Sequence, residues 1–595
     1  MKLITRKEQK KQDCWDLSSL FANDKEWEET LEEIKKEIPV LLEYKGKLSQ
    51  SVKVFSDFLV KYFSLLQKAE ALGVYAYLRL SEDGGEAERQ KLWGIYLGFS
   101  AQFSSALSFV EPEILKLPQE ITDYVLKDDS QKDYHIWLKK LLRYKKYILT
   151  EEQEKLLAEL SESRSLAQRA FSALNDVDME FGTVETEKGL ESLTHGSYMR
   201  FMENRNRAIR EQAYMQYLNQ YKKHYNTIST LYTTQVKQNS TEARLRGYKS
   251  SLEAKLYPDD VSTELYTHLI KQVEEALPVL HRYYELRRNK LNLDKLKLYD
   301  TKVPLTSEPK INYPYEEAVE IVCKALSPLG EDYTNVLKKG LTSGWVDRYE
   351  NKGKRSGAFS YGCYSGEPYI LLNYDPTVLR HVFTLAHEAG HSMHSYYSVK
   401  NNPFPHYNYS IFEAEVASTF NEELLLDYML KQADKTLKTA LILKHTDELI
   451  GTYFRQTMFA EFELAVHNIA DAGQPVTGQN ILEIYQKLLK KYFGPAVEIG
   501  EIDCYESLRI PHFYRAFYVY KYATGITAAL NLAEAVKQDK AGAKEAYRQF
   551  LSNGGSSFPI ENLKKAGVDL MSDAPYKRLS EVFASHVAEL EKSLL

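Results

Sequence analysis

The chain has little cysteine. Only Cys14, Cys323, Cys363 and Cys504 occur in 595 residues, far apart and with no CxxC pair. A disulfide framework is therefore not predicted, and a reducing compartment suits four separate thiols. We expect a cytoplasmic protein.

Several other features are also absent. No run of 18 apolar residues occurs, so no membrane span is predicted, and residues 1–15 have basic residues but no apolar core typical of a secretory signal. Lys and Arg (77) nearly balance Asp and Glu (83), for a net charge of −6 without long blocks of one sign. This pattern argues against a nucleic-acid surface. The sequence gives no indication of oligomeric state.

One short motif, His387-Glu388-Ala389-Gly390-His391, has the HExxH form typical of zinc hydrolases. On a helix, two imidazoles four residues apart lie on one face and can converge on a single tetrahedral metal. Glu388 can reach a metal-activated water without being a ligand and act as general base. The pattern predicts one zinc per chain, although cobalt or manganese can occupy similar ligands.

The residues around the motif favour a buried helix. Asp375-Pro376 fits an N-cap followed by proline at the first helical position, residues 378–386 are almost all apolar, and residues 401–403 end the segment. A buried helix excludes two histidines and a glutamate unless they have partners, and metal coordination supplies them. The alternative is a pair of core histidines that are hydrogen-bonded to neighbouring groups.

A third ligand is expected from a second helix that begins near Ser410. Ser410 and Glu413 fit a capping box, whereas Glu415 lies one turn further on and can complete a His, His, Glu ligand set. Glu422 shares its face and can accept a hydrogen bond from a ligand imidazole. The alternative is that both carboxylates are solvated surface charges.

His394 competes with Glu415 for the ligand role. It lies on the face of His387 and His391, but the helix rises about 10 Å from His387 to His394. One metal does not span that distance comfortably. We therefore expect His394 to lie behind the ligands or to face the substrate, and we favour Glu415 as the third ligand.

Two further segments have predicted roles near the metal site. Residues 357–373 are typical of a hairpin just before the zinc helix, whose exposed edge could hold an extended peptide or could simply support the helix. The segment from His512 to Tyr522 is dense in aromatic residues. A tyrosine hydroxyl or neutral imidazole there could donate to a developing oxyanion, or the rings could form core.

These motifs together resemble the M3 metallopeptidases, and the oligopeptidase F branch in particular. The resemblance rests on FTLAHEAGHSMH from Phe383, FEAEVASTFNE from Phe412, KRSGAFSYG from Lys354 and HFYRAFYVYKYATG from His512. It covers most of the chain from about residue 200 onward and is weaker before that.

The resemblance implies a mainly α, two-lobed helical metallopeptidase with a deep substrate channel and a small β-hairpin or sheet beside the zinc helix. It implies that His387, His391 and Glu415 bind zinc and that Glu388 is the catalytic base. His512, Tyr518 and Tyr520 fit the histidine and tyrosines that stabilise the transition state in thimet-type relatives, although this segment is shorter and lacks their glycines.

The sequence therefore predicts a zinc-dependent oligoendopeptidase that acts on short peptides, with an N-terminal helical lobe (1–190) and a catalytic domain (191–595). The glycine- and threonine-containing segment 176–197 is predicted to be a hairpin or joint between them. One alternative is a zinc carboxypeptidase on a related scaffold, in which Arg515 or Lys521 would bind the terminal carboxylate. The other is a non-catalytic peptide-binding protein with structural zinc.

Overall fold

The computed structural model describes residues 3–307 and 309–595, and it is mainly helical, as the sequence predicts. Two π-helices, Leu174–Asp178 and Ile450–Phe454, interrupt the α-helices. The α-helices of the described residues are α1 Asp24–Leu42, α2 Val52–Glu82, α3 Ala87–Ala106, α4 Val110–Leu115, α5 Gln119–Lys127, α6 Lys132–Leu142, α7 Glu151–Glu159, α8 Ser161–Arg164, α9 Leu166–Ala173, α10 His195–Met202, α11 Arg207–Lys223, α12 Tyr225–Leu245, α13 Ser251–Leu256, α14 Thr263–Lys290, α15 Tyr315–Ala325, α16 Glu331–Thr342, α17 Leu379–Asn401, α18 Ile411–Gln432, α19 Lys435–Leu449, α20 Arg455–Asp471, α21 Gly478–Phe493, α22 Tyr520–Lys537, α23 Ala543–Asn553, α24 Pro559–Lys565 and α25 Ala574–Leu594.

The chain forms two compact units, each built from three separate stretches. Unit 1 contains residues 1–146, 310–432 and 529–568, and unit 2 contains residues 147–309, 433–528 and 569–595. The described part of the chain has no helix that is both long and apolar enough to cross a membrane. The sequence-based division at residue 190 treats domains as continuous stretches, and it stays a prediction.

Within the described residues, five short strands form two small sheets. In unit 2, β1 (Thr183–Thr186) and β2 (Gly189–Ser192) pair antiparallel, which confirms the hairpin predicted within residues 176–197. In unit 1, β3 (Val346–Asp347), β4 (Phe359–Tyr361) and β5 (Tyr369–Leu371) form a sheet in the order β3-β5-β4. The antiparallel β4–β5 pair confirms the predicted hairpin. The sequence did not predict the parallel pairing of β3 with β5.

The sheet in unit 1 is held by a buried lysine. The Lys354 side chain has no exposed surface, and its ammonium forms an ion pair of 2.6 Å with Asp347. It also donates to the main-chain oxygens of Asp347, Tyr349 and Leu372 at 3.2, 2.7 and 2.6 Å. Because these carbonyls belong to β3, to the loop after it and to the residue that follows β5, one side chain fixes the sheet next to α17.

Helix α17 carries the HExxH motif and begins later than predicted. It starts at Leu379, after Val378 as N-cap, rather than at Asp375-Pro376. The Asp375 carboxylate instead accepts hydrogen bonds from the main chain and hydroxyl of Thr377, which forms a local turn that competes with the helix. The predicted end is confirmed, since the last helical residue is Asn401.

Candidate metal centre

Helices α17 and α18 bring His387, His391 and Glu415 together in unit 1. The Nε2 atoms of His387 and His391 lie 3.5 and 3.8 Å from Oε2 of Glu415. The three ligand atoms all lie within 4.8 Å of one another, and the described residues hold no other such group of three or more His, Cys, Asp or Glu. The ligand set predicted from the sequence therefore meets at one point.

This geometry fits a tetrahedral metal. Ligand atoms bound at 2.0–2.1 Å in a tetrahedral site lie about 3.3 Å apart, close to both distances that involve Glu415. The Nδ1–H of His387 donates to Oε1 of Glu422 at 2.6 Å, which leaves Nε2 available for a metal and confirms the partner expected for Glu422. Three protein ligands leave a fourth position open, as in catalytic zinc sites.

The surroundings set the charge of each imidazole in the metal-free protein. Burial lowers the pKa of His387, but the hydrogen bond to Glu422 outweighs this effect and raises the pKa to about 9. Burial and the neighbouring charge of His387 hold the pKa of His391 well below its usual range. His391 thus keeps a free lone pair at neutral pH, whereas a metal must displace a proton from His387.

The close approach of the two helices depends on Gly390. A Cβ at Gly390 would lie 2.5 Å from the main-chain oxygen of Ala417 and 2.6 Å from Cα of Ser418. Ser418 also donates from its hydroxyl to Oε2 of Glu415 at 3.2 Å, which orients the carboxylate. The glycine of the HEAGH motif therefore lets α18 approach close enough for Glu415 to join the two histidines, a role that sequence reasoning missed.

Glu388 lies next to the ligands but points to the sheet side of α17. It is buried, with 7% of its surface exposed. Burial first, and the nearby carboxylates of Glu415 and Glu422, raise the pKa of Glu388 to about 7, while His387 and the main chain of Ser360 in β4 lower it. Glu388 can therefore both take and release a proton near neutral pH.

A cavity of about 780 Å³ opens beside the ligands in unit 1. His391, Tyr409 and Glu415 line one side and residues 360–368 the other. Strand β4 is the edge strand of its sheet on this side, because the order is β3-β5-β4. The cavity can therefore hold an extended chain next to the candidate ligands and to a strand edge that no other described strand covers.

His394 lies outside the ligand set. It is 1% exposed, and its ring stacks on Tyr409 with centroids 3.5 Å apart and packs at a tilt against Phe550 at 5.3 Å. Burial lowers the pKa of His394 to about 3, so the imidazole is neutral. The Tyr409 hydroxyl in turn reaches the main-chain oxygen of His391 at 3.4 Å. Sequence reasoning missed Tyr409, because nothing in its spacing marks it.

Unit 2 contains the aromatic segment predicted to contact the transition state. His512 is exposed, while Tyr518 is half-buried between Arg515, 4.7 Å above its ring, and Tyr522, at 5.5 Å. Burial and the charge of Arg515 lower the pKa of His512, so its imidazole is neutral at pH 7. Both side chains keep surface that a substrate can reach.

Tyr520 differs from its two neighbours. It has no exposed surface and packs against Tyr266 with ring centroids 5.2 Å apart. A fully buried hydroxyl cannot touch a peptide in this structure, so its position does not support the sequence-based prediction for Tyr520. Lys521, a candidate cation for the carboxypeptidase alternative, is paired with Asp259 at 2.5 Å.

Comparison with known proteins finds relatives that match almost the whole chain. The family model described as peptidase family M3 matches residues 200–581, and the model described as oligopeptidase F matches residues 113–181. An oligoendopeptidase F homolog of Borreliella burgdorferi is 42% identical over 99% of this chain and 100% of its own length. Oligopeptidase PepF of Bacillus subtilis is 39% identical over 100% of this chain and 89% of its own. The crystal structure of oligoendopeptidase-F from Enterococcus faecium superposes with a TM-score of 0.76 at 32% identity, covering 96% of this chain and 99% of that one.

Proposed function

Because the chain belongs to peptidase family M3, in its oligopeptidase F branch, and is a metallo-oligoendopeptidase, we propose that its metal is zinc and that His387, His391 and Glu415 bind it. The observation that carries the proposal is the convergence of the three ligand atoms within 4.8 Å beside a cavity. Zinc, when bound, supplies a Lewis acid that polarises a carbonyl and makes water nucleophilic at neutral pH.

Glu388 is the proposed general base. It takes a proton from the attacking water and passes it to the leaving amine, the general acid–base role of a carboxylate next to the metal ligands. Glu422 keeps the His387 ring in the tautomer that presents Nε2, and the free edge of β4 holds the substrate main chain by hydrogen bonds.

We further propose that His512 and Tyr518 donate hydrogen bonds to the negative charge that develops on the scissile carbonyl. Their exposure and the neutral imidazole of His512 support this role. The expected substrates are short peptides. We place the enzyme in the cytoplasm, because its four cysteines are all free and a reducing compartment suits them.

The test is cleavage of a short internally quenched peptide, blocked at both ends, by wild type and by Glu388→Gln. Both preparations should contain one zinc per chain, and the variant should lose about 10²–10⁴ in kcat. Trimming of a free C-terminus without cleavage of the blocked peptide would contradict the endopeptidase assignment. A variant that loses its zinc along with its activity would contradict the base assignment.

A further inference from the structure

Unit 2 contains a second cavity, of about 400 Å³, a size typical of small-molecule sites. It lies within residues 198–302 and 447–512, and no role described above uses it, apart from His512 at its border. Three cations line it, Lys302, Arg455 and Arg509, but only two carboxylates, Asp447 and Glu506. The cavity is therefore left with one unbalanced positive charge.

The pairing among these groups shows which cation is unbalanced. Glu506 forms ion pairs with both arginines, Arg455 and Arg509. Burial raises the pKa of Glu506, but the two guanidinium groups outweigh this effect and hold the pKa at about 2. The carboxylate is therefore charged. Asp447 accepts a hydrogen bond of 2.9 Å from the Tyr283 hydroxyl. Lys302 has no hydrogen bond or ion pair with any described residue.

The environment of Lys302 disfavours a lone charge. The side chain is exposed where it lines the cavity, and desolvation there lowers the pKa of Lys302, while the carboxylate of Asp447 raises it in part. A partly desolvated ammonium is stabilised by an opposite charge within about 4–6 Å. An anion in the cavity would supply the missing partner.

The backbone that carries Lys302 is rigidly held on both sides. Arg287, itself buried, donates to the main-chain oxygen of Val303. On the other side, Arg210 donates to the main-chain oxygen of Tyr299 at 3.1 Å and to the Asp300 carboxylate at 2.7 Å. These contacts fix the turn, so the backbone of Lys302 is held beside the cavity.

The remaining walls are mostly apolar. Met202, Ile450, Phe459 and Phe493 contribute to them, and Ile450 begins the π-helix Ile450–Phe454. Such one-turn widenings of a helix are frequent at functional sites. The next residue, Gly451, also lines the cavity, and a Cβ placed there would meet no atom within 4 Å. An apolar group thus has room beside a fixed cation.

We propose that this cavity binds a carboxylate carried on an apolar residue, with Lys302 as its charged partner. Two sources have this chemistry: the C-terminal residue of a peptide substrate, and a free amino-acid-like molecule such as a cleavage product. Only the first source rests on the proposed function.

The test measures binding directly, by calorimetry with full-length protein. N-acetyl-L-phenylalanine is compared with its amide, which has the same shape but no charge. The acid should bind wild type at least about tenfold more tightly than the amide does, and Lys302→Met should lose about that factor for the acid alone. Lys487→Met, which removes an exposed lysine of the same unit outside the cavity, should bind like wild type. Equal affinities for acid and amide, or an unchanged Lys302→Met, would overturn the proposal.

A second variant removes space rather than charge. Gly451→Leu fills the open volume and replaces glycine with a better helix former, so the fold is preserved. It should abolish binding of the acid while circular dichroism stays unchanged. Unchanged binding would overturn the assignment of this cavity as the binding site. The same measurements on Glu388→Gln should match wild type, because they need no catalysis, so failure here is distinct from failure of the metal site.

The source is identified with peptide substrates. If a free C-terminal carboxylate lowers KM relative to the amidated peptide in wild type but not in Lys302→Met, the site takes the end of the substrate. If KM is equal for both peptides while the acid still binds, the site takes a free small molecule. Equal displacement of the bound acid by inorganic phosphate would overturn the requirement for an apolar body.

Discussion

Replacing Gly390 with alanine tests how closely α17 and α18 must approach for the metal site to form. The added Cβ would lie 2.5 Å from the main-chain oxygen of Ala417 and 2.6 Å from Cα of Ser418. Ordinary contacts of this kind are about 3.5 Å, so the helices must separate by roughly 1 Å. Backbone atoms cannot rotate away as a flexible side chain would.

The separation acts directly on the ligand set. Glu415 lies on α18 and the two histidines on α17, and their ligand atoms are 3.5 and 3.8 Å apart. Metal sites tolerate ligand displacements of about 0.2 Å, so a shift of this size removes Glu415 from coordination. We expect zinc affinity to fall by about 100-fold or more. The overpacking itself should lower the free energy of unfolding by about 1–3 kcal/mol.

The assay is zinc competition with a chelator of known affinity, with circular dichroism to confirm the fold. The matched control is Gly98→Ala in α3, also a glycine within a helix of unit 1, where a Cβ meets no atom within 4 Å. That variant should bind zinc like wild type and be slightly more stable, because alanine favours the helix by about 1 kcal/mol. Wild-type zinc affinity in Gly390→Ala would refute the argument.

Three further predictions follow from other contacts described above. Glu422→Ala removes the acceptor for His387 Nδ1 and should weaken zinc binding by about 10- to 100-fold in the same chelator competition; unchanged affinity would contradict that role. Lys354→Met leaves the buried carbonyls of the sheet without a donor and should destabilise unit 1 by about 3–5 kcal/mol, seen as a lower urea midpoint, whereas exposed Lys352→Met should not. The folded pKa of Glu506, about 2, lies below its ordinary 4.5, so its contribution of about 3 kcal/mol is complete above pH 4.5 and is lost as the pH falls towards 2. The difference in urea midpoint between wild type and Glu506→Gln should accordingly narrow from pH 7 to pH 3; a constant difference would contradict this.

The candidate metal ligands could be predicted because their signal is local. Spacing along one helix places His387 and His391 on one face, and the capping box that begins at Ser410 assigns Glu413 to the helix end, which leaves Glu415 free. The structure agrees in detail, since the Ser410 hydroxyl donates to Glu413 at 3.0 Å. The role of Glu422 as a hydrogen-bond acceptor for a ligand imidazole was predicted from the same helical periodicity.

Features that depend on distant parts of the chain could not be predicted in this way. Strand β3 pairs with β5 across more than twenty residues, and the three-part composition of each unit depends on contacts between remote segments. The role of Gly390 needs the position of α18, and the full burial of Tyr520 needs the position of Tyr266 on α14. Local patterns carry no information about such partners, and for the same reason the cavity around Lys302 has no sequence signature.

The most direct test of the metal site is a crystal structure of the protein purified with zinc, with anomalous diffraction recorded at the zinc absorption edge. We predict one strong peak per chain, about 2.0–2.1 Å from Nε2 of His387, Nε2 of His391 and a carboxylate oxygen of Glu415. A zinc-containing, active protein whose peak lies elsewhere, or in which His394 replaces Glu415 as the third ligand, would contradict the account.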